Sequence, residues 1–205
     1  MMNKVFAYAV AALVVTGLTI AALVFTGVIP GAPGSRQGGT SVIAGAPQLG
    51  GPFTLVNHKG ETVTDKDFHG KYMMIFFGYT FCPDVCPTEM QTFAQVMAEL
   101  GEDAEKVTPV FITVDPQRDT VQVMDEFVNS FHPSIVGLTG TDEQIEDVKK
   151  KYRAYGQREE NGDPEYYLVD HTSFTYLMRP DGVLETVFRY GTTSEEMTKK
   201  IQELL

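Results

Sequence analysis

Apolar and polar residues follow one another along this chain in blocks whose lengths and periods predict strands and helices in turn. Two short β-prone runs, 53–56 and 61–64, flank the sequence Asn-His-Lys-Gly and predict a hairpin. The uninterrupted apolar run 72–79 (YMMIFFGY) has the length of a strand buried on both faces, and 107–114 predicts a second such strand. Shorter strands are predicted at 135–138, 166–169, 174–178 and 183–188.

Helical patterns occupy the segments between several of these strands. A first helix is predicted to begin near Pro87, because proline suits the first helical turn, and to stop at Gly101. Further helices are predicted after a cap at Asp119 or Thr120, from a Thr141/Gln144 capping box to about Tyr155, and after a cap at Ser194. This alternation predicts an α/β domain with a mixed central sheet and helices on both faces. The order of the elements is thioredoxin-like.

The N-terminal segment, 1–29, differs in kind from the rest. Val5 to Ile29 is an uncharged run of 25 residues. A helix rising about 1.5 Å per residue crosses a hydrocarbon core of about 30 Å with about 20 residues, so the run predicts one transmembrane anchor. A cleaved signal peptide is the alternative, but its apolar region usually spans about 7 to 15 residues. Lys4 before the span and Arg36 after it place the globular part on the periplasmic or extracytoplasmic side of the cell (inner) membrane.

Composition then separates a tether from a folded domain. Residues 30–48 are rich in Gly and Pro and predict a flexible tether, which leaves 49–205 as the globular domain. The residues after position 35 include 15 basic and 27 acidic side chains, a net charge of −12. Phosphate recognition needs clustered Lys and Arg, so this balance argues against nucleic acid as a partner.

The chain has two cysteines, Cys82 and Cys86, placed between the first buried strand and the start of a helix. A structural disulfide is one interpretation, but a bridge closing so small a loop removes little unfolded-state entropy. A helix N-terminus instead favours thiolate, the form that attacks disulfides and binds soft metals. The spacing has three intervening residues where a thioredoxin-type redox motif has two. The pair is therefore a candidate both for redox chemistry and for Cu(I) binding.

A third ligand would separate these two possibilities, and the candidates are the four histidines. His58, His69 and His132 lie in turns or at a helix end and are predicted to be solvated. His171 follows a β-prone run and enters a loop that, in a thioredoxin-like topology, faces the cysteine turn. Thioredoxins usually present a cis-proline there, and this chain has none. A Cys2His set accommodates Cu(I) and Cu(II), whereas zinc would usually need a fourth ligand. The adjacent Asp170 is a candidate hydrogen-bond partner for His171.

Five stretches around these positions share a pattern with a known family, and they lie at 50–55, 67–71, 77–88, 114–120 and 169–172. The most specific are CPDVCP at 82–87 and the distant DHT at 170–172. In these stretches the sequence strongly resembles the Sco/SenC family of membrane-anchored copper proteins, which are needed to assemble cytochrome c oxidase. The resemblance covers nearly everything from about 49 to 205. It implies that Cys82, Cys86 and His171 are copper ligands. It also implies that the domain delivers copper to the binuclear copper site of oxidase subunit II, or reduces the cysteines of that site.

Three convincing ligands predict one copper per chain, with an upstream copper donor and an upstream thiol reductant as further partners. Two other functions stay open. The chain could be a thiol:disulfide oxidoreductase that cycles Cys82 and Cys86, with His171 tuning thiolate character, or a redox sensor that binds copper without passing it on. The three-residue spacing, His171 and the missing cis-proline favour copper. No enzymatic activity is predicted beyond thiol-disulfide reduction.

Overall fold

The apolar runs form a central seven-stranded sheet in the computed structural model, which describes residues 49–159 and 166–205. Strands in these ranges are β1 (Thr54–Asn57), β2 (Thr62–Thr64), β3 (Tyr72–Gly78), β4 (Val107–Thr113), β5 (Val136–Thr139), β6 (Gly156–Arg158), β7 (Val169–His171), β8 (Phe174–Met178) and β9 (Leu184–Arg189). Their order in the sheet is β2-β1-β5-β4-β3-β8-β9. The pairs β3–β4 and β4–β5 are parallel and the other pairs antiparallel, so the predicted mixed sheet is confirmed.

Four α-helices in the described ranges connect or follow these strands: α1 (Val85–Leu100), α2 (Val121–Asn129), α3 (Asp142–Tyr152) and α4 (Ser194–Gln202). The Thr141/Gln144 capping box of α3 is confirmed, and of the two candidates for α2 it is Thr120 that caps. The cap of α4 is Thr193 rather than the predicted Ser194, because Thr193 forms a capping box with Glu196.

Two helix boundaries also differ from prediction. Helix α1 begins at Val85, two residues before Pro87, which its first turn accommodates because the N–H groups there have no intrahelical partner. Helix α3 ends at Tyr152 rather than near Tyr155, where Arg153 turns into the left-handed region (φ 51°). The chain then turns away from the helix axis and continues into β6.

Helices cover both faces of the sheet, as predicted. Successive residues of a strand point to opposite faces. At the end of β3, Gly78 faces Cys86 of α1, while the preceding residue, Phe77, contacts Tyr152 of α3 with ring centroids 5.6 Å apart. Burial on both faces explains why the run at β3 is apolar without alternation.

The second, two-stranded sheet was not predicted. Strands β6 and β7 pair antiparallel, with Gly156 opposite His171. The prediction of a strand at 166–169 was wrong, because β7 begins at Val169 and includes His171. Strand β6 (Gly-Gln-Arg) has no apolar period, so backbone pairing with β7 rather than a side-chain pattern defines it.

All described residues belong to one unit, Pro47–Leu205, with a single hydrophobic core. In these ranges no helix combines the length and the apolar composition that a bilayer crossing needs. The predicted anchor, 1–29, and tether, 30–48, lie outside the described residues.

A candidate metal centre

The two cysteines lie where β3 turns into α1. Cys86 is in the first turn of α1 and is fully buried, whereas Cys82 is in the preceding loop and is partly exposed. Backbone groups aim at both sulfurs: the N–H of Tyr79 points at Cys86 Sγ at 3.4 Å, and the N–H of Cys86 points at Cys82 Sγ at 3.5 Å. Gly78 provides the space for Cys86, because a Cβ at position 78 would lie 2.5 Å from the sulfur.

His171 reaches the cysteines from β7. Its Nε2 lies 3.5 Å from Cys86 Sγ and 4.0 Å from Cys82 Sγ. The ring packs edge-on against Phe76 and Tyr79, with centroids 5.8 and 5.7 Å apart. The ligand atoms of Cys82, Cys86 and His171 all lie within 4.8 Å of one another, so the structure brings the three predicted residues together.

The tautomer of His171 follows from the contact that its second ring nitrogen, Nδ1, makes with Thr172. Nδ1 lies 3.1 Å from the carbonyl oxygen of Thr172, and a carbonyl can only accept. In the neutral ring Nδ1 therefore carries the hydrogen, which leaves the lone pair of Nε2 directed at the sulfurs. Asp170, the candidate partner proposed from sequence, is exposed. The orienting group in the structure is the backbone carbonyl of Thr172, which no sequence pattern marks.

The pKa values of the two thiols are shifted in opposite directions. The Cys86 side chain lowers the pKa of Cys82 most, and His171 and the backbone N–H groups of Asp84 and Cys86 add to this, giving about 3 against the effect of burial. Burial raises the pKa of Cys86. Burial also opposes the charged form of His171, but the bond to Cys82 and the Thr172 carbonyl outweigh it, so the pKa of His171 is raised. In the copper-free site a thiolate at Cys82 and a protonated ring at His171 therefore stabilise each other.

Asp119 connects the cysteine loop to the end of β4 through hydrogen bonds. The carboxylate is fully buried and accepts hydrogen bonds from the backbone N–H and hydroxyl of Thr80 and from the hydroxyl of Thr113. Burial raises the pKa of Asp119 to about 6. Sequence reasoning considered this residue only as a helix cap. A carboxylate in the loop after a buried strand, six residues beyond Thr113 at the end of β4, is the signal that could have marked it.

The other histidines lie outside the site. His58 was predicted to be solvated, but it is buried and its Nδ1 accepts a hydrogen bond from the N–H of Gly137 at 3.1 Å. It is buried because Gly137 leaves room against its Cβ. His132 bonds Ser134 at 2.7 Å and His69 lies 3.7 Å from Asp65. In the described ranges, Cys82, Cys86 and His171 form the only cluster of three His, Cys, Asp or Glu ligand atoms close enough to hold a metal ion.

The arrangement supports two kinds of chemistry. Two sulfurs and an imidazole nitrogen are soft and borderline donors, which suit Cu(I) and Cu(II), while a structural zinc site would need a fourth ligand. Alternatively, the partly exposed Cys82 thiolate can attack a disulfide, and the buried Cys86 can then resolve the mixed disulfide. The first use needs His171 as a ligand. The second does not.

Known proteins match this chain over its globular part. A profile of the SCO1/SenC family matches residues 42–205. The Schizosaccharomyces pombe protein sco1 is 46% identical over 160 residues, which are 77% of this chain and 61% of that protein. Rhodobacter capsulatus protein SenC is 50% identical over 133 residues, 65% of this chain and 60% of that protein. The match spans between 41% and 64% of the length of these and the other curated relatives.

Solved structures agree with these sequence matches. The structure of Bradyrhizobium japonicum ScoI with copper bound has a TM-score of 0.72 and 42% identity, and covers 77% of this chain and 99% of that chain. Yeast Sco1 with copper bound has a TM-score of 0.71 and 40% identity, and covers 77% of this chain and 88% of that one. The predicted α/β thioredoxin-like fold is consistent with both.

Proposed function

Because the chain belongs to the SCO1/SenC family, we propose that it is a copper chaperone for the assembly of cytochrome c oxidase. Its recipient is the binuclear copper centre of oxidase subunit II, to which it delivers copper or whose cysteines it reduces. The recipient follows from the family resemblance at residues 77–88 and 169–172. Related chains solved with copper bound support copper as the cargo.

The observation that carries the proposal is the convergence of three ligand atoms, all within 4.8 Å of one another. Cys82 and Cys86 supply two sulfurs and His171 supplies one nitrogen with its lone pair turned toward them. Two thiolates suffice to hold Cu(I), and the imidazole extends the set to Cu(II). One copper per chain is the expected load.

Metal analysis of the reduced full chain tests this assignment. Wild type should bind one copper and, as Cu(II), show sulfur-to-copper charge-transfer absorption. His171→Ala should lose most of that absorption while keeping some Cu(I) affinity through the two sulfurs. His69→Ala is the matched control, since this exposed histidine lies in a turn outside the cluster. Survival of the full Cu(II) signal in His171→Ala would show that the assigned site is wrong.

Oxidation should empty the site. Joining Cys82 to Cys86 as a disulfide releases two electrons and two thiol protons to an oxidant, and a disulfide sulfur has no thiolate charge to offer copper. Copper titrated into fully oxidised and fully reduced protein at equal pH should bind tightly only to the reduced form. Equal binding by both forms would exclude the two cysteines as ligands. In an oxidising compartment, loading would therefore depend on an upstream thiol reductant and a copper donor.

The location forms a separate part of the proposal. Residues 1–29 anchor the protein in the cell membrane, and residues 30–48 hold the domain on the exported side, because the uncharged 25-residue run is long enough to span. Fractionation should recover the intact chain with membranes, and protease added from the exported side should digest the globular domain. Recovery of a soluble form that starts after residue 30 would instead indicate a cleaved signal peptide.

Thiol-disulfide exchange is a second candidate function, favoured by the low pKa of the partly exposed Cys82. Such a thiolate is the attacking form, and Cys86 beside it could resolve the mixed disulfide. A general reductant accepts many disulfides, whereas a chaperone depends on one docking partner. Insulin reduction should therefore be slow compared with a thioredoxin. Fast turnover by copper-free His171→Ala protein would favour the oxidoreductase function.

A further inference from the structure

Four side chains stack between the cysteine loop and the strand pair that carries His171. The guanidinium carbon of Arg118 lies 3.5 Å from the ring centroid of Tyr167 and 4.9 Å from that of Phe81, and the guanidinium carbon of Arg158 lies 3.8 Å from the Tyr167 centroid. Two guanidinium groups so near one centroid cannot share a face without overlapping, so they lie on opposite faces of the ring. The order of this cation–aromatic stack is Phe81, Arg118, Tyr167, Arg158.

Hydrogen bonds fix Arg118 and Tyr167 to each other and to Asp115. Arg118 Nε donates to Asp115 Oδ2 at 2.5 Å, Arg118 Nη1 donates to the carbonyl of Tyr167 at 2.9 Å, and the Tyr167 hydroxyl donates to Asp115 Oδ1 at 2.7 Å. The Arg118 side chain is 14% exposed and Asp115 is buried. Arg118 Nη2 is buried with no hydrogen-bond partner in the described ranges. The contacts to Asp115 and Tyr167 therefore determine where the guanidinium sits.

The stack touches both elements that carry the proposed ligands. Phe81 directly precedes Cys82, and Tyr167 lies four residues before His171. Arg118 belongs to the loop between β4 and α2, and the next residue, Asp119, holds Thr80 of the cysteine loop. The loop between β4 and α2 thus contacts both the cysteine loop, through Asp119, and the segment before His171, through Arg118. Strands β6 and β7 belong to a separate sheet, so these contacts help to fix β7 relative to α1.

We propose that Arg118 is a positioning residue that holds His171 at its distance from the two sulfurs, through Tyr167 on one side and Phe81 on the other. This inference rests on the proposed copper site. It gives Arg118 a selective effect, because Cu(I) can be held by the two cysteines while Cu(II) also needs the imidazole nitrogen. Loosening the strand that carries His171 weakens the Cu(II) complex and leaves the Cu(I) complex nearly unchanged.

The ratio of the two affinities is the readout that a purely structural role would not change. Residues that orient metal ligands typically alter metal affinity by about 10- to 100-fold when replaced. A tenfold loss confined to Cu(II) raises the reduction potential of the bound copper by about 59 mV for one electron. A general loss of folding would weaken both complexes together.

The test uses the full reduced chain in mild detergent, with Cu(I) and Cu(II) affinities, the Cu(II) charge-transfer spectrum and the reduction potential measured for each variant. Arg118→Lys keeps the charge but loses the planar group that stacks and forks between Asp115 and Tyr167. It should raise the Cu(II) Kd about tenfold, shift the charge-transfer band, and change the Cu(I) Kd less than about twofold. Arg179→Lys is the control, because this exposed arginine pairs with Asp181 in the β8–β9 turn.

A second variant covers the case in which Arg118→Lys fails to fold. Tyr167→Phe keeps the stacked ring and removes only the bond to Asp115, so it should show the same Cu(II)-selective loss to a smaller extent. Unchanged Cu(II) affinity in both variants, or equal weakening of Cu(I) and Cu(II), overturns the role of Arg118. If His171→Ala still loses the Cu(II) signal in that experiment, the copper site stands and this inference alone fails. Absence of copper binding in wild type overturns both.

Discussion

Replacing Gly78 by alanine is the most direct way to disturb the cysteine pair without touching a sulfur. Gly78 is the last residue of β3, and an added Cβ would lie 2.5 Å from Cys86 Sγ, 2.9 Å from Phe111 and 3.1 Å from Phe76. Ordinary contacts of this kind are about 3.5 to 4.0 Å long. The sulfur is fully buried, so it has to shift by about 1 Å or push α1 away from the sheet.

The size of the effect follows from these overlaps. Overpacking a well-packed core by one methyl group typically costs about 1 to 3 kcal/mol of unfolding free energy, and we expect Gly78→Ala to lie in this range. A displaced Cys86 should also lower Cu(I) affinity about tenfold, as when a group that orients a metal ligand is lost. Phe76 packs on His171, so Cu(II) affinity should fall as well.

Gly137→Ala is the matched control. Its added Cβ would meet Val128 and Met124 at 3.0 and 3.1 Å, so it crowds the core of the same domain away from the cysteines. Urea unfolding and copper titration of the reduced chains should show a stability loss in both variants and an affinity loss only in Gly78→Ala. Wild-type copper affinity in a destabilised Gly78→Ala protein would refute the idea that this glycine makes room for a metal-binding sulfur.

Three further predictions concern buried or strained groups. Burial raises the pKa of Asp119 to about 6 from about 3.9 when unfolded, so the carboxyl stabilises the fold most below about pH 4 and loses this contribution as pH rises to about 6. Wild type should therefore unfold with a higher free energy at pH 4 than at pH 7, and Asp119→Asn should reduce this difference by about 2 kcal/mol. An unchanged pH profile in Asp119→Asn would contradict this. Thr175→Val removes the hydroxyl that donates to the buried Glu89 at 2.5 Å and should cost about 1 to 3 kcal/mol in urea unfolding, whereas a loss below about 0.5 kcal/mol would contradict it. Arg153→Gly relieves a left-handed residue at the end of α3 and should raise the unfolding free energy by about 1 kcal/mol, with a decrease counting against the argument.

The elements that sequence predicted well are those whose signal is local. The run at β3 is apolar because both of its faces are covered, and the Thr141/Gln144 box contains its own partner. The predictions were wrong or incomplete where contacts between distant parts of the chain determine the structure. Strand β6 exists because β7 pairs with it, and His58 is buried because Gly137 on another strand leaves space. The Thr193/Glu196 box was readable but lay one residue from the chosen cap.

In the candidate site, too, some features could be predicted from the sequence and others could not. Spacing and position marked Cys82 and Cys86, and the expected topology marked His171, and the structure brings their ligand atoms together. Copper binding by these residues stays a prediction. The Arg118 contacts and the Thr80 bond to Asp119 were not predicted, because each joins residues that are far apart in the chain. The Thr172 carbonyl is next to His171 in the chain, but its contact depends on the orientation of the ring, which no sequence pattern shows.

Under the proposed copper delivery, the unequal burial of the two sulfurs predicts the order in which the ligands exchange. Cys86 is sealed in the first turn of α1, while Cys82 and His171 are partly open to solvent. An incoming thiolate from an acceptor can approach only from the open side, so it would substitute for Cys82 or His171 before Cys86. Cys86 is then predicted to be the last ligand that copper leaves, so that the ion stays bound to this protein until the acceptor also binds it.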